Sequence, residues 1–170
     1  SYKVSASDEI TSNTDYYAMY AEADGDASYQ LVTSDLGSDW AGKYLIAYSS
    51  SIFADGRTNG ESGIGVKDGS VDPTATNLSG TTVALSWGDT YYVTLEEISA
   101  GSNTYLLKTQ DGYYNYRTAN SNGIHTSNNR STADDYPLTI TYNSSSDIDI
   151  AAPAGAQFHY NTDGYFRFYK

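Results

Sequence analysis

The residues best suited to chemistry in this 170-residue chain occur in two matched sets, each beginning at an Asp-Gly pair. The sets are Asp111, Tyr113 and Asn115 in one segment, and Asp163, Tyr165 and Arg167 in the other. A flat tyrosine ring can contact the apolar face of a pyranose, while carboxylate, amide and guanidinium groups bond to its hydroxyls. The two sets therefore predict two related sites for a polysaccharide or other glycan.

Strand alternation decides which of these side chains reach the surface. On a strand, Tyr113 and Asn115 share one face, and Tyr114 and Tyr116 share the other. The matched all-aromatic positions are Phe53, Tyr114 and Phe166. We expect this aromatic set to lie in the core. The two sets that combine a tyrosine with polar residues should then face outward. The alternative is that the tyrosines only fill a hairpin cap, with their hydroxyls in water.

A third segment matches the other two but lacks their polar groups. Its corresponding residues are Ser50, Ile52 and Ala54. No sugar site is expected there. Trp40 is a further candidate, because Gly37-Ser38-Asp39-Trp40-Ala41-Gly42 has the composition of a loop. An exposed tryptophan would be a ligand platform, and the alternative is that it folds back to plug the end of a barrel.

Catalytic and metal chemistry find little support in the sequence. There is no cysteine, and the two histidines, His125 and His159, lack zinc-ligand spacing. Glu96 and Glu97 are adjacent, so on a strand they point to opposite faces and cannot form a glycosidase pair by themselves. No nucleophile elbow or phosphate-binding loop is present. We expect a protein that is not an enzyme and has no cofactor and no metal.

The charge and composition restrict the partners. Nine Lys and Arg against 21 Asp and Glu give a net charge of −12, which repels nucleic acid and anionic membrane surfaces. No run of apolar residues is long enough for a membrane-spanning helix. The abundance of Ser, Thr, Asn, Gly and Tyr predicts a secreted or cell-surface protein.

The elements that carry these residues are predicted to be short strands. Short runs rich in Tyr, Ile, Val, Thr and Phe recur about every 10–15 residues between Gly, Asp, Asn and Ser, which is typical of an all-β sandwich or barrel. Three hairpin-like segments align with one another, and each follows further strand-like runs. The chain forms a single domain, 1–170, that divides into repeats at about 1–56, 57–117 and 118–170. Three such units predict a β-trefoil-like barrel with a hairpin cap, and the alternative is a β-sandwich.

Two segments resemble a known kind of module. Residues Gly42–Tyr48 read Gly-Lys-Tyr-Leu-Ile-Ala-Tyr, and the chain ends in Phe-Arg-Phe-Tyr-Lys after Phe158-His159-Tyr160-Asn161. They resemble an uncharacterised secreted β module of gut bacteria found beside glycoside hydrolases. The threefold pattern is also similar to β-trefoil carbohydrate-binding modules, but the Gln-x-Trp element of the ricin type is absent. Sugar-binding residues of that family therefore cannot be transferred.

These observations predict a non-catalytic, carbohydrate-binding or lectin-like accessory module of a larger secreted bacterial protein. The alternative function is a structural spacer or a protein-binding adhesin domain without a sugar ligand. Fold alone does not choose between them.

Overall fold

The computed structural model describes residues 18–22, 28–48, 51–58, 64–68, 82–84, 92–143, 147–160 and 166–170. These residues form an all-β structure of antiparallel strands with one short helix. The strands are Ala18–Glu22 (β1), Ser28–Leu31 (β2), Gly42–Tyr48 (β3), Ser51–Thr58 (β4), Ile64–Asp68 (β5), Thr82–Ala84 (β6), Val93–Glu97 (β7), Tyr105–Thr109 (β8), Tyr114–Tyr116 (β9), His125–Ser127 (β10), Thr139–Tyr142 (β11), Ile148–Ala151 (β12), Gln157–Tyr160 (β13) and Phe166–Tyr169 (β14). The helix is Arg130–Ala133 (α1).

The strands lie in one sheet with the order β10-β9-β8-β7-β3-β4-β5-β14-β13-β12-β11. Strand β1 pairs with β2 and β3, and β2 also pairs with β6. Two isolated bridges, Tyr105 to Leu138 and Gly123 to Phe168, join parts of the sheet that are distant along this order. Within the described ranges no pairing closes the sheet into a barrel, so the trefoil arrangement is not shown and stays a prediction.

Two runs of consecutive strands position the candidate residues. We call β7–β10 the central meander and β11–β14 the C-terminal meander. Consecutive strands within each meander pair with one another in the antiparallel sense. In the central meander, Gly112 has a φ of 90° and its N–H donates to the Thr109 carbonyl, so the predicted Asp-Gly turn is confirmed.

The predicted match between the second and third hairpins extends to their register. Leu107 pairs with Asn115 and Lys108 with Tyr114. At the aligned positions, His159 pairs with Arg167 and Tyr160 with Phe166. The first hairpin differs by one residue, because Ile46 rather than Ala47 lies opposite Phe53.

A single large apolar cluster underlies both meanders. It includes alternate residues of every strand that crosses it, as the period of two along a strand requires. Its largest members include Trp40, Tyr44, Tyr105, Phe53, Phe158, Phe166 and Phe168, all buried. A smaller cluster on the other face of the central meander comprises Leu106, Tyr114, Tyr116 and Ala133.

Candidate functional site

The predicted site on the second hairpin is only partly at the surface. Asp111 is exposed in the turn and accepts a hydrogen bond from the Thr109 hydroxyl. Tyr113 is half-buried directly after this turn. These two residues stay accessible to a ligand. Tyr113 is the only aromatic residue of the described turn 109–113.

Asn115 does not face solvent, contrary to the sequence-based expectation. It is 1% exposed, and its Nδ2 donates to the Tyr113 carbonyl at 3.2 Å. The reason is that Asn115 lies opposite Leu107, which belongs to the large cluster. The outward orientation predicted for Asn115 is therefore wrong, because strand alternation defines two faces but does not say which one is covered.

Trp40 is likewise buried, at 1% exposure, so the interpretation as an exposed platform is wrong. Its backbone N–H donates to the Tyr105 hydroxyl at 3.4 Å, and that hydroxyl donates to the Ser38 carbonyl at 2.8 Å. The Trp40 ring lies 6.3 Å from that of Tyr44. Burial, aided by Asp39, holds the pKa of Tyr44 well above its usual range. The loop thus folds back onto β8. This agrees with the folding back that the alternative interpretation expected, while the barrel end in that interpretation stays a prediction.

The opposite face of the central meander is also covered. Tyr114 and Tyr116 on this face are buried with Ala133 of α1. Tyr116 stacks on Tyr136 at 5.4 Å and on His125 at 5.5 Å, which makes a continuous stack of three rings. Burial raises the pKa of Tyr116, and Tyr136 adds to the shift. The expectation that Tyr114 is a core residue is confirmed, as it is for Phe53 and Phe166.

A polar network fastens α1 over that face. The Glu96 carboxylate accepts hydrogen bonds from Lys108 Nζ at 3.0 Å, from the Tyr114 hydroxyl at 3.0 Å and from Arg130 Nη1 at 2.9 Å. The hydrogen bond to Glu96 is the main cause of a raised pKa at Lys108. Asn129 caps the helix, since its Oδ1 accepts from the Ser131 N–H at 3.1 Å. Glu96 is therefore a structural anchor that is already bonded to three donors.

The C-terminal meander has the opposite character, because only one of its faces is apolar. Ile148, Ile150, Phe158, Phe166 and Phe168 point into the large cluster and are buried. The residues that alternate with them are polar, apart from Ala151, and are half-buried or exposed. We call this second surface the outer face, and it comprises Thr139, Thr141, Asp149, Ala151, Gln157, His159, Arg167 and Tyr169.

The outer face is organised in rows across the strands. One row runs Thr139, Ala151, Gln157 and Tyr169, each paired with the next. Two residues away on each strand, the same face carries Thr141 opposite Asp149 and His159 opposite Arg167. Neighbouring strands are about 4.8 Å apart, so a row of four residues spans about 14 Å.

Arg167 is the predicted site residue that the structure places best. It is half-buried on the outer face, as expected from its alternation with Phe166 and Phe168. Its guanidinium carbon lies 4.6 Å from the centre of the Tyr169 ring, and the His159 ring is 6.3 Å from the same ring. The other two residues of this predicted set, Asp163 and Tyr165, lie outside the described residues.

Two carboxylates meet at one end of the outer face. Asn143 Nδ2 lies 2.8 Å from Asp149 Oδ2 and 3.4 Å from Asp147 Oδ2. Asp149 alternates with buried Ile148 and Ile150, so it lies on the outer face. In the described ranges, no three His, Asp or Glu side chains come together as ligands for a metal ion.

Comparison with known proteins adds no family. No known protein family matches the chain, and no curated protein is significantly similar to it. The resemblance to a secreted module of gut bacteria therefore stays a prediction. Among the described elements, the helix is far too short to cross a membrane.

Several residues of the outer face were not identified from the sequence as site residues, namely Thr139, Thr141, Gln157, His159 and Tyr169. A signal was available, because three segments of this meander alternate polar and apolar residues: Thr-Ile-Thr at 139–141, Gln-Phe-His at 157–159 and Phe-Arg-Phe at 166–168. Such alternation is typical of a sheet with one solvated face. It identifies the face without the aid of the repeat.

Proposed function

We propose that this protein is a non-catalytic carbohydrate-binding module and that the outer face of the C-terminal meander is its binding surface. The observation that carries the proposal is the division of this meander into an apolar face and a polar face that holds a guanidinium, an imidazole, a phenol, an amide and two threonine hydroxyls. These groups donate and accept hydrogen bonds in the way that sugar hydroxyls require.

The shape of the outer face favours an extended ligand. A row of about 14 Å across four strands is longer than one sugar ring, so a polymer would contact several rows at once. Because a shallow surface buries little of each sugar, each contact is weak and the affinity comes from several contacts together. This behaviour suits an accessory module that keeps a protein on a polysaccharide.

The second hairpin contributes a smaller candidate site. Asp111 and Tyr113 are still the accessible part of the set predicted there, while Asn115 is buried. Asp163 and Tyr165 complete the third hairpin's predicted set, beside Arg167. We assign Asp111, Tyr113, Asp163 and Tyr165 a secondary role in binding, because the described outer face offers more polar groups than the turn of the second hairpin.

The finer architecture is also a proposal. Three units of about 1–56, 57–117 and 118–170 in a trefoil-like barrel would account for the equal register of the second and third hairpins and for the two bridges that join distant strands. A secreted or cell-surface bacterial protein with further domains fits the composition and the net charge of −12. Nucleic acid remains an improbable partner for such a charge.

The experiment is retention on a panel of immobilised neutral and acidic polysaccharides, followed by variants of the retained protein. The double variant Arg167→Ala/Tyr169→Ala should lose retention, since it removes the guanidinium and the ring from the outer face. The double variant Asp111→Ala/Tyr113→Ala should keep most of it. If Asp111→Ala/Tyr113→Ala lost retention and Arg167→Ala/Tyr169→Ala kept it, the binding site would be on the second hairpin instead. No retention on any polysaccharide would contradict the proposal and leave the spacer or adhesin as the function.

A further inference from the structure

We propose that Asn122 is a site of spontaneous deamidation and that residues 168–170 control the reaction by holding Gly123 in a backbone bridge. This modification goes beyond the proposed function and does not depend on it. It follows from the Asn122-Gly123 sequence, from three hydrogen bonds between this pair and residues 168–170, and from the different exposure of the two residues.

The reaction uses only the chain and water, and asparagine is accordingly among the thermolabile residues. The backbone nitrogen of Gly123 loses its proton and forms a bond to Cγ of Asn122, while the bond from Cγ to Nδ2 breaks and that nitrogen leaves as ammonia. Water then adds to one of the two carbonyl groups of the cyclic imide and opens it. The product at 122 is aspartate, or isoaspartate, in which the main chain runs through the former side chain.

Glycine at position 123 makes Asn122 susceptible, and the fold requires this glycine. Gly123 has a φ of 135°, a conformation that residues with a side chain rarely adopt. Because glycine has no Cβ, nothing beside its nitrogen hinders the approach to Cγ of the preceding residue. Asn122 is exposed, so ammonia can leave and water can reach the imide. The backbone conformation at 123 thus keeps beside Asn122 the residue type that hinders the reaction least.

Three hydrogen bonds, which we call the clasp, hold this pair against residues 168–170. The Gly123 N–H donates to the Phe168 carbonyl at 2.9 Å, and the Phe168 N–H donates to the Gly123 carbonyl at 3.1 Å. The Lys170 N–H donates to Asn122 Oδ1 at 3.0 Å. Gly123 is buried, and its bridge partner Phe168 belongs to the large cluster. The reacting nitrogen and the reacting side chain are therefore both fixed by the same short segment.

The clasp blocks the first step of the reaction. A nitrogen whose proton is buried and donated to a carbonyl is not available to bases in water, and the bonded Oδ1 keeps the amide of Asn122 directed at Lys170. Deamidation therefore requires a local opening that separates residues 168–170 from the Asn122-Gly123 pair. Its rate in the folded protein equals the rate in the open chain multiplied by the fraction of molecules that are open.

The two products differ in their effect on the clasp. Aspartate at 122 keeps an oxygen at the position of Oδ1, which still accepts from the Lys170 N–H. Isoaspartate adds a methylene group to the main chain before Gly123, which shifts the N–H and C=O of Gly123 relative to those of Phe168. The bridge then cannot form both of its bonds. Formation of isoaspartate thus converts a transient opening into a permanent one.

Peptide mapping by mass spectrometry tests the site, because it separates Asn122 from Asn59, the other asparagine of the chain that is followed by glycine. The full chain is incubated at mildly alkaline pH under native conditions and in urea. We expect Asn122 to react at least about tenfold faster in urea, because unfolding removes all three bonds of the clasp. Equal rates in the two conditions would overturn the inference, as would an Asn122 that stays intact in urea.

Substitutions at Lys170, which is exposed, test the control by the clasp. Lys170→Pro removes the N–H that donates to Asn122, whereas Lys170→Ala, the matched control, removes the same side chain and keeps that N–H. In the native chain, Lys170→Pro should deamidate about two- to tenfold faster than Lys170→Ala, and in urea the two should react equally. Hydrogen exchange of the Gly123 N–H should accelerate by the same factor, because the same opening exposes it. Equal native rates in the two variants would contradict control by the clasp.

Discussion

The central and C-terminal meanders share a hairpin of the same register but bury different faces. In the central meander, Tyr105 and Leu107 pack into the large cluster, while Leu106 and Tyr114 pack under α1. In the C-terminal meander the residue aligned with Leu106, Phe158, packs into the large cluster. The aligned faces are thus exchanged. A repeat in sequence preserves strand pairing, but the covering elements decide which face is left for a ligand.

Those covering elements come from different places in the chain. The loop with Trp40 lies against Tyr105 of β8, and the segment with α1 lies on the other side of the same hairpin. On the described outer face of the C-terminal meander, the polar residues are half-buried or exposed. The difference locates structural residues in one meander and candidate binding residues in the other.

The largest effect is expected at the apolar face of the C-terminal meander. Phe168→Ala should lower the free energy of unfolding by about 3–5 kcal/mol, because it opens a cavity in the large cluster. Tyr169→Ala, one residue further along β14 and on the outer face, should cost less than about 1 kcal/mol. Urea unfolding of both variants measures the two values. Similar losses would mean that both faces of this meander are covered.

A second pair of variants tests the exchange of faces at aligned positions. Leu107→Ala should destabilise the protein by about 2–5 kcal/mol, since Leu107 is buried in the large cluster. His159→Ala, at the matching position of the third hairpin, should change stability by less than about 1 kcal/mol. The same denaturant measurement applies. A large loss at His159 would contradict the outward orientation of that position.

A smaller effect is expected from the anchor of the helix. Glu96→Ala should cost about 1–2 kcal/mol, because Lys108, Tyr114 and Arg130 lose their common acceptor at a partly exposed site. Glu97→Ala is the control, since the Glu97 side chain accepts only a longer bond of 3.3 Å from the Asn103 N–H. Thermal unfolding compares the two. If Glu97→Ala lost as much stability as Glu96→Ala, Glu96 would not be a specific anchor of the helix.

The burial of Tyr116 on the face of the central meander under α1 should also make stability depend on pH. Burial raises the pKa of Tyr116 above 10.0, so its stabilising contribution is complete below that value and is lost as the pH rises further. Tyr44 and Lys108 act in the same direction. Tyr116→Phe should therefore lose less stability than the original chain between about pH 9 and about pH 11. Parallel losses in both proteins would show that Tyr116 ionises equally when folded and unfolded.

The positions of the strands were largely predictable from the sequence. The run Leu138–Tyr142 corresponds to β11 at Thr139–Tyr142, and Asp147–Ile150 corresponds to β12 at Ile148–Ala151. Local alternation and turn residues were sufficient for this, because they act within a few residues of the chain. The sequence also predicts a strand at residues 2–5 and a core position for Trp87, and both lie outside the described residues.

The faces were less predictable, and Asn115 and Trp40 show why. Asn115 is polar, yet it is buried by a cluster whose members come from distant strands. Trp40 lies in a segment that has the composition of an exposed loop, but the Tyr105 hydroxyl, 65 residues away, binds its backbone. Such long-range packing cannot be deduced from local pattern. Arg167 was placed correctly because the phenylalanines on either side of it fix the apolar face of β14.

The central claim is that the outer face of the C-terminal meander is the binding surface, and amide chemical-shift mapping tests it most directly. The titration uses a short oligosaccharide from whichever polymer the protein retains. The account predicts that the perturbed amides cluster on β11–β14, around Thr141, His159 and Arg167, and leave the face of the central meander under α1 unchanged. Perturbations centred on the turn at Asp111 and Tyr113, or on the residues around α1, would contradict it.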